Sequence, residues 1–146
     1  MSNYDNEIYV HKELYQSGLT NANLMIEIEA LFGKDYLIIA DEAEPDRIAE
    51  FKSNGFRIRG AKKSKGSVNN GIDFLKRKRI NIDNSCINTK NEIQIYKYRE
   101  DRDGNVLEEP VKFKDHAMDA LRYGAQQFQQ KTKVKIKTFG QRTWGD

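Results

Sequence analysis

Tyr36-Leu37-Ile38-Ile39-Ala40-Asp41-Glu42-Ala43-Glu44-Pro45 decides the fold. An unbroken apolar run stops at two acids, which marks a buried central strand ending in a polar loop. Pro45 then suits the first turn of a helix in which Ile48, Ala49 and Phe51 face inward and which Gly55 closes. The same strand–helix alternation continues on both sides. Upstream, residues 7–14 carry Ile8, Val10 and Leu14 and read as a strand. Thr20-Asn21 then starts a helix with Leu24, Ile28 and Leu31 on one stripe, and Gly33 stops it. Downstream, residues 56–58 read as a strand, residues 62–70 as a Gly/Ser/Lys/Asn loop, and Ile72 and Leu75 as the apolar face of a helix. Residues 79–82 are a further short strand. Residues 85–95 fit a helix while 92–98 alternate like a strand, and the pattern leaves both open. Asp103-Gly104 is a hairpin signal. Residues 114–128 form a helix with Ala117, Ala120, Leu121, Ala125 and Phe128 buried. Strands alternating with helices predict an α/β domain.

At 146 residues the chain is one domain. The fold is expected over 1–130, with 131–146 as a basic, loosely held tail carrying Lys131, Lys133, Lys135 and Lys137. No stretch approaches the roughly 18 uncharged apolar residues of a membrane helix. Residues 1–6 lack a basic-then-apolar leader. One cysteine, Cys86, makes neither an internal disulfide nor a zinc cluster and fits a reducing compartment.

The net charge of +3 is unevenly spread. Residues 1–56 carry 4 Lys/Arg against 11 Asp/Glu, and residues 57–79 carry 9 against Asp73 alone. So dense a basic block, threaded with apolar residues, is an electrostatic footprint for a polyanion. A solvated helix face is the plainer alternative.

Asp41, at the end of an apolar strand, sits where open α/β sheets bind ligands. Its plainer role, or that of Glu44, is to cap the helix at Pro45. His116 and Asp119 lie three apart on one helix face, with Asp115 before them as N-cap. Asp119 near a helix N-terminus, paired with Arg122, also has a purely structural reading. Together the two acids beside a basic block suit Mg²⁺ or Mn²⁺ acting on a phosphodiester. No Cys/His spacing supports zinc, and His11 reads as a surface residue. Residues 60–67, GAKKSKGS, fail the phosphate-loop pattern because Ser67, not Lys, follows Gly66. No ATP motor is therefore encoded in this stretch.

Four blocks in order carry a family resemblance: Lys12-Glu13-Leu14-Tyr15 with Gly18-Leu19-Thr20-Asn21; Ala40-Asp41-Glu42-Ala43-Glu44-Pro45 with Ile48-Ala49-Glu50; Lys65-Gly66-Ser67 with Gly71-Ile72; and Asp115-His116-Ala117-Met118-Asp119-Ala120-Leu121-Arg122-Tyr123. Over residues 8–128 the chain resembles the C-terminal nuclease domain of the large terminase subunit of tailed bacteriophages. The resemblance implies a ribonuclease H-like mixed sheet flanked by helices. It implies cutting of concatemeric viral DNA with two divalent ions, Mg²⁺ or Mn²⁺. Asp41 matches the family's second catalytic acid, Asp119 the last, and His116 a histidine one turn before it. Arg57, Arg59, Lys62, Lys63, Lys65 and Lys76 would face the DNA.

One departure stands out. The family's first acid lies on a first strand that the chain lacks, and Asp5 falls in the hairpin that follows it. Glu13 is the candidate substitute. The implied partners are double-stranded DNA, a terminase ATPase domain or chain, the small terminase subunit and the portal protein, in the host cytoplasm and with no membrane. The rival reading is a catalytically incomplete module that docks DNA or the portal and takes its first acidic ligand from a second chain.

Overall fold

The computed structural model describes residues 1–95, 98–100, 106–110 and 115–129. The chain turns back at Asp5 and Asn6, with φ of 48° and 64°, between β1 (Ser2–Tyr4) and β2 (Glu7–Val10). Two successive positive φ values match the twist of antiparallel strands, and Asp and Asn tolerate them better than most residues. The strand expected over 7–14 therefore ends at Val10.

Helix α1 (Asn21–Phe32) is capped at both ends as its sequence requires. Thr20 Oγ1 accepts the Asn23 N–H at 3.2 Å, and Gly33 closes the helix at φ 75°. Strand β3 (Ile38–Ala40) is shorter and wetter than the 36–40 run suggests. Its three residues are half-buried and Tyr36 is 72% exposed. The reason is pairing: among the described residues β3 is bonded only to β4.

Helix α2 (Pro45–Ser53) starts on Pro45 and buries Phe51, with Ile48 half-buried. Ala49, expected inside, is exposed. Strand β4 (Ile58–Gly60) follows, and α3 (Ser67–Lys76) begins within the stretch read as loop. Next come β5 (Arg79–Ile82) and α4 (Ile87–Ile95). The open stretch is thus helix to Ile95 and strand from Tyr98. Strands β6 (Tyr98–Glu100) and β7 (Val106–Pro110) pair antiparallel around the Asp103-Gly104 signal. That turn and the 131–146 tail lie outside the described residues. Helix α5 (His116–Ala125) runs into a 3₁₀ turn, Gln126–Phe128.

Strand β2 pairs antiparallel with β1 and parallel with β5, while β3 and β4 form a separate parallel pair. Helices cover both sets. Two hydrophobic clusters result. Ile8, Val10, Leu75, Cys86, Met118, Leu121 and Ala125 form one, and Met25, Phe51, Phe56 and Ile58 the other. Helix α5 serves both halves: its apolar stripe lies in the first cluster, and it also packs on β3. That stripe is turned from the expected one, with Met118 buried and Ala120 exposed. No described helix is long and apolar enough to cross a membrane.

Candidate functional site

Strands β3 and β4 are parallel, so the loops after Ala40 and Gly60 leave the same edge. The backbone ladder continues there, the Ala61 N–H donating to Ala40 O at 2.7 Å. This brings Asp41 beside the lysine-rich loop before α3. Asp41 Oδ1 accepts the Ala43 N–H at 2.9 Å and the ammonium of Lys63. It turns the loop but leaves α2 alone, whose N-cap Glu44 makes no side-chain capping bond. The Lys63 ammonium, then the Ala43 N–H, hold the Asp41 carboxyl below the usual carboxylate range, and Asp41 in turn raises Lys63.

Helix α5 supplies the opposing wall. Asp119, Arg122 and Gln126 each lie one residue on from the buried Met118, Leu121 and Ala125, with Tyr123 next to Arg122. Arg122 Nη2 donates to Asp119 Oδ1 at 2.7 Å, with its side chain 8% exposed. Gly71 makes this burial feasible. A Cβ there would stand 2.5 Å from Arg122 Cγ, so only a bare backbone lets the arginine stem lie on α3. The Tyr123 ring lies against both cations, its centroid 4.9 Å from Arg122 Cζ and 5.8 Å from Lys63 Nζ. Gln126 clips the loop in place, accepting the Lys62 N–H at 2.9 Å and donating to Lys62 O at 2.8 Å. Asp41, through Lys63, and Asp119, 78 positions on in sequence and through Arg122, are thus each paired with a protein cation that lies against the same Tyr123 ring.

Other expected site residues lie elsewhere or do other work. Exposed His116 opens α5, one turn before Asp119. Lys62 and Lys65 are exposed in the Asp41-side loop. Arg57 precedes β4 at its opposite end and donates to Asp35 O at 2.8 Å. Arg59 is half-buried within β4. Lys76 ends α3, whose ten residues separate it from the loop by about 15 Å. Glu13 spends both oxygens on α4. Oε1 accepts the Asn88 N–H (2.9 Å) and Nδ2 (3.1 Å), and Oε2 accepts the Thr89 N–H (2.9 Å) and Oγ1 (2.7 Å). Serving as a substitute metal ligand would cost α4 its cap.

Asp41 and Asp119 are hard oxygen donors, the kind Mg²⁺ and Mn²⁺ prefer. Each now faces an ammonium or guanidinium that a metal would have to displace. No three His, Cys, Asp or Glu side chains gather into a ligand set among the described residues. The chemistry of the pair suits one cation better than two.

Tyr123 and Gln126 went unassigned in the sequence, although the polar stripe Asp119–Arg122/Tyr123–Gln126 is legible once α5 is granted. Glu92 gave no signal, because its segment was ambiguous. It lies 4% exposed on α4 with Tyr15 and the first turn of α5 as partners.

Comparison with known proteins bears on the family and the fold. A family model described as a terminase RNase H-like domain matches residues 2–127. The PBSX phage terminase large subunit of Bacillus subtilis is 30% identical over 123 residues, covering 84% of this chain. The chain spans only 28% of that relative's length. The large terminase nuclease domain of bacteriophage SPP1, solved with bound Mn, superposes with a TM-score of 0.77 at 28% identity. The match covers 84% of this chain and 72% of that one. The large terminase of a thermophilic bacteriophage shares the fold at TM-score 0.64 and 23% identity, covering 85% of this chain and 34% of that one.

Proposed function

Because the chain belongs to the terminase RNase H-like domain family, we propose that it is the nuclease module of a viral DNA-packaging terminase, a metal-dependent endodeoxyribonuclease that cuts concatemeric genome DNA. The Tyr123 ring shared by the cation partners of Asp41 and Asp119 carries this reading. Asp41 stands beside an exposed lysine loop, and Gln126, just past the helix that carries Asp119, holds the same loop. The SPP1 domain holding Mn supports Mg²⁺ or Mn²⁺ as the cofactor here.

In this reading Asp41 and Asp119 hold the cation, and His116 orients the site or relays a proton. A bound divalent ion supplies Lewis-acid stabilisation of charge on the scissile phosphate. Lys62, Lys63 and Lys65 grip the DNA through its phosphates, without reading bases. Arg57, Arg59 and Lys76 would extend that track along the domain. With a cation held at Asp41, Lys63 would be free to pair with a phosphate. A second ion needs one more acid, from a strand pairing along β1 or β3, each of which has one edge unpaired among the described residues. The working partners are then double-stranded DNA, the terminase ATPase domain, the small subunit and the portal, in the host cytoplasm.

The absence of a three-ligand set among the described residues favours one second reading, a DNA- or portal-docking module that needs another chain for its first acid. Plasmid nicking separates the two. Cleavage that requires Mn²⁺ or Mg²⁺, stops with chelator and is lost in Asp41→Ala and Asp119→Ala supports the nuclease. Salt-sensitive DNA binding with no cleavage supports docking. Nicking untouched by both substitutions would remove these acids from the chemistry.

A further inference from the structure

Helix α5 carries Asp119 and Tyr123 and leads into Gln126, so the site is only as well placed as the first turn of that helix. The N-cap residue, Asp115, makes no side-chain capping bond. The cap comes from another helix. Glu92, on α4 and 4% exposed, accepts the Ala117 N–H at 2.6 Å and the Met118 N–H at 3.0 Å on Oε2. Its Oε1 accepts the Tyr15 hydroxyl at 2.7 Å. A buried carboxylate is costly unless its oxygens are satisfied, and here three donors converge on it. The two amides belong to the turn between His116 and Asp119. The helix dipole favours the negative charge at this end.

We propose that Glu92 is a positioning residue of the acidic site, acting through the α5 amides to set where Asp119 and His116 stand relative to Asp41. Tyr15 fixes the carboxylate that does this. The Glu92 bond, followed by burial, raises the Tyr15 phenol above its ordinary pKa, as expected beside an anion. Glu13, two residues before Tyr15, caps the first turn of α4. The 13–15 segment therefore holds the α4–α5 corner at two points. The inference rests on the nuclease reading for its functional consequence, but not for its geometry.

The test compares Glu92→Ala, Glu92→Gln and Tyr15→Phe with the parent chain. Glutamine keeps a carbonyl oxygen for the two amides, so it should restore most of what alanine loses. Removing an outer partner of a metal-site residue is worth about 10–100-fold. Glu92→Ala should therefore lose at least about tenfold in Mn²⁺ affinity and in kcat, with KM for DNA little changed because the lysine loop is untouched. Tyr15→Phe should show a smaller loss in the same direction, and it answers the question if Glu92→Ala fails to fold. A folded Glu92→Ala or Tyr15→Phe protein with parental Mn²⁺ affinity and kcat overturns the inference. So does a glutamine variant as impaired as alanine. A parent chain that neither binds Mn²⁺ nor nicks DNA sinks the nuclease reading instead. Positioning is then read without metal, from the NMR shifts of the Asp119 carboxylate and the Arg122 guanidinium, which must move in Glu92→Ala and return in Glu92→Gln.

Discussion

Lys63→Met is the most discriminating perturbation of the acid pair. It removes the ammonium on Asp41 and keeps most of the stem against Tyr123. The two side chains are 38% and 42% exposed, so solvent screens the pair and the exposed-pair value of about 0.2–1 kcal/mol applies. The variant should lose no more than that in stability. The same quantity opposes any metal that must displace the ammonium. Mn²⁺ affinity should therefore rise, by up to about fivefold at 1 kcal/mol, while the log–log salt slope of DNA binding shrinks by about 0.9 for one lost phosphate contact.

The pH dependence follows from both partners. Asp41 is lowered, so its contribution is present above the ordinary carboxylate range and lost as pH falls through the folded value. Lys63 is raised, so its contribution is present below the ordinary lysine value and lost as pH rises through the folded one. The stability gap between parent and variant should be widest from about pH 5 to pH 10 and close on either side. Calorimetric Mn²⁺ titration and urea unfolding across pH measure both effects. A weaker Mn²⁺ affinity in Lys63→Met would refute the idea that this lysine competes with metal for Asp41.

Gly71→Ala should destabilise by about 1–3 kcal/mol, because the new methyl would meet Arg122 Cγ at 2.5 Å and Cδ at 2.8 Å. An unchanged urea midpoint would show that the arginine stem relaxes freely. Glu13→Ala should cost about 1–2 kcal/mol through loss of the α4 cap. Burial pushes the Glu13 carboxyl up, but the Asn88 and Thr89 donors outweigh it and the net shift is down. Its contribution therefore disappears as pH falls through the folded value. Parent and variant should converge once the pH has fallen below the folded value, and a gap that persists after the carboxyl has protonated would show that the cost is not electrostatic.

What was legible in the sequence was whatever depends on neighbours in the chain. Thr20 and Gly33 bracket α1, Pro45 opens α2, and Asp41 ends β3 because local backbone chemistry demands it. The 36–40 run misled because burial depends on which strands pair with it, and an apolar string says nothing of its partners. Ala49 and Ala120 misled because alanine is content on either side of a helix. Among the expected site residues, Lys63 lies against Tyr123 and holds Asp41, and Asp119 pairs with Arg122 on the same ring, while Glu13 and Arg57 are tied to other elements. Glu92 stayed hidden for a physical reason. A carboxylate capping a helix from another helix leaves no trace in spacing, since 25 residues separate it from the amides it serves.

The two hydrophobic clusters have a consequence for how the site fails. Asp41 hangs from one apolar body and Asp119 from the other. Beyond the packing of α5 on β3, their alignment near the acids rests on polar ties: the Gln126 clip on Lys62, the Lys63 ammonium on Asp41 and the aromatic face of Tyr123. Such ties are individually weak and sensitive to salt and solvent, whereas each body is held by its own oil. Mild heat or denaturant should therefore misregister the acids while both halves remain folded, so that the chain loses its vernier well before it melts.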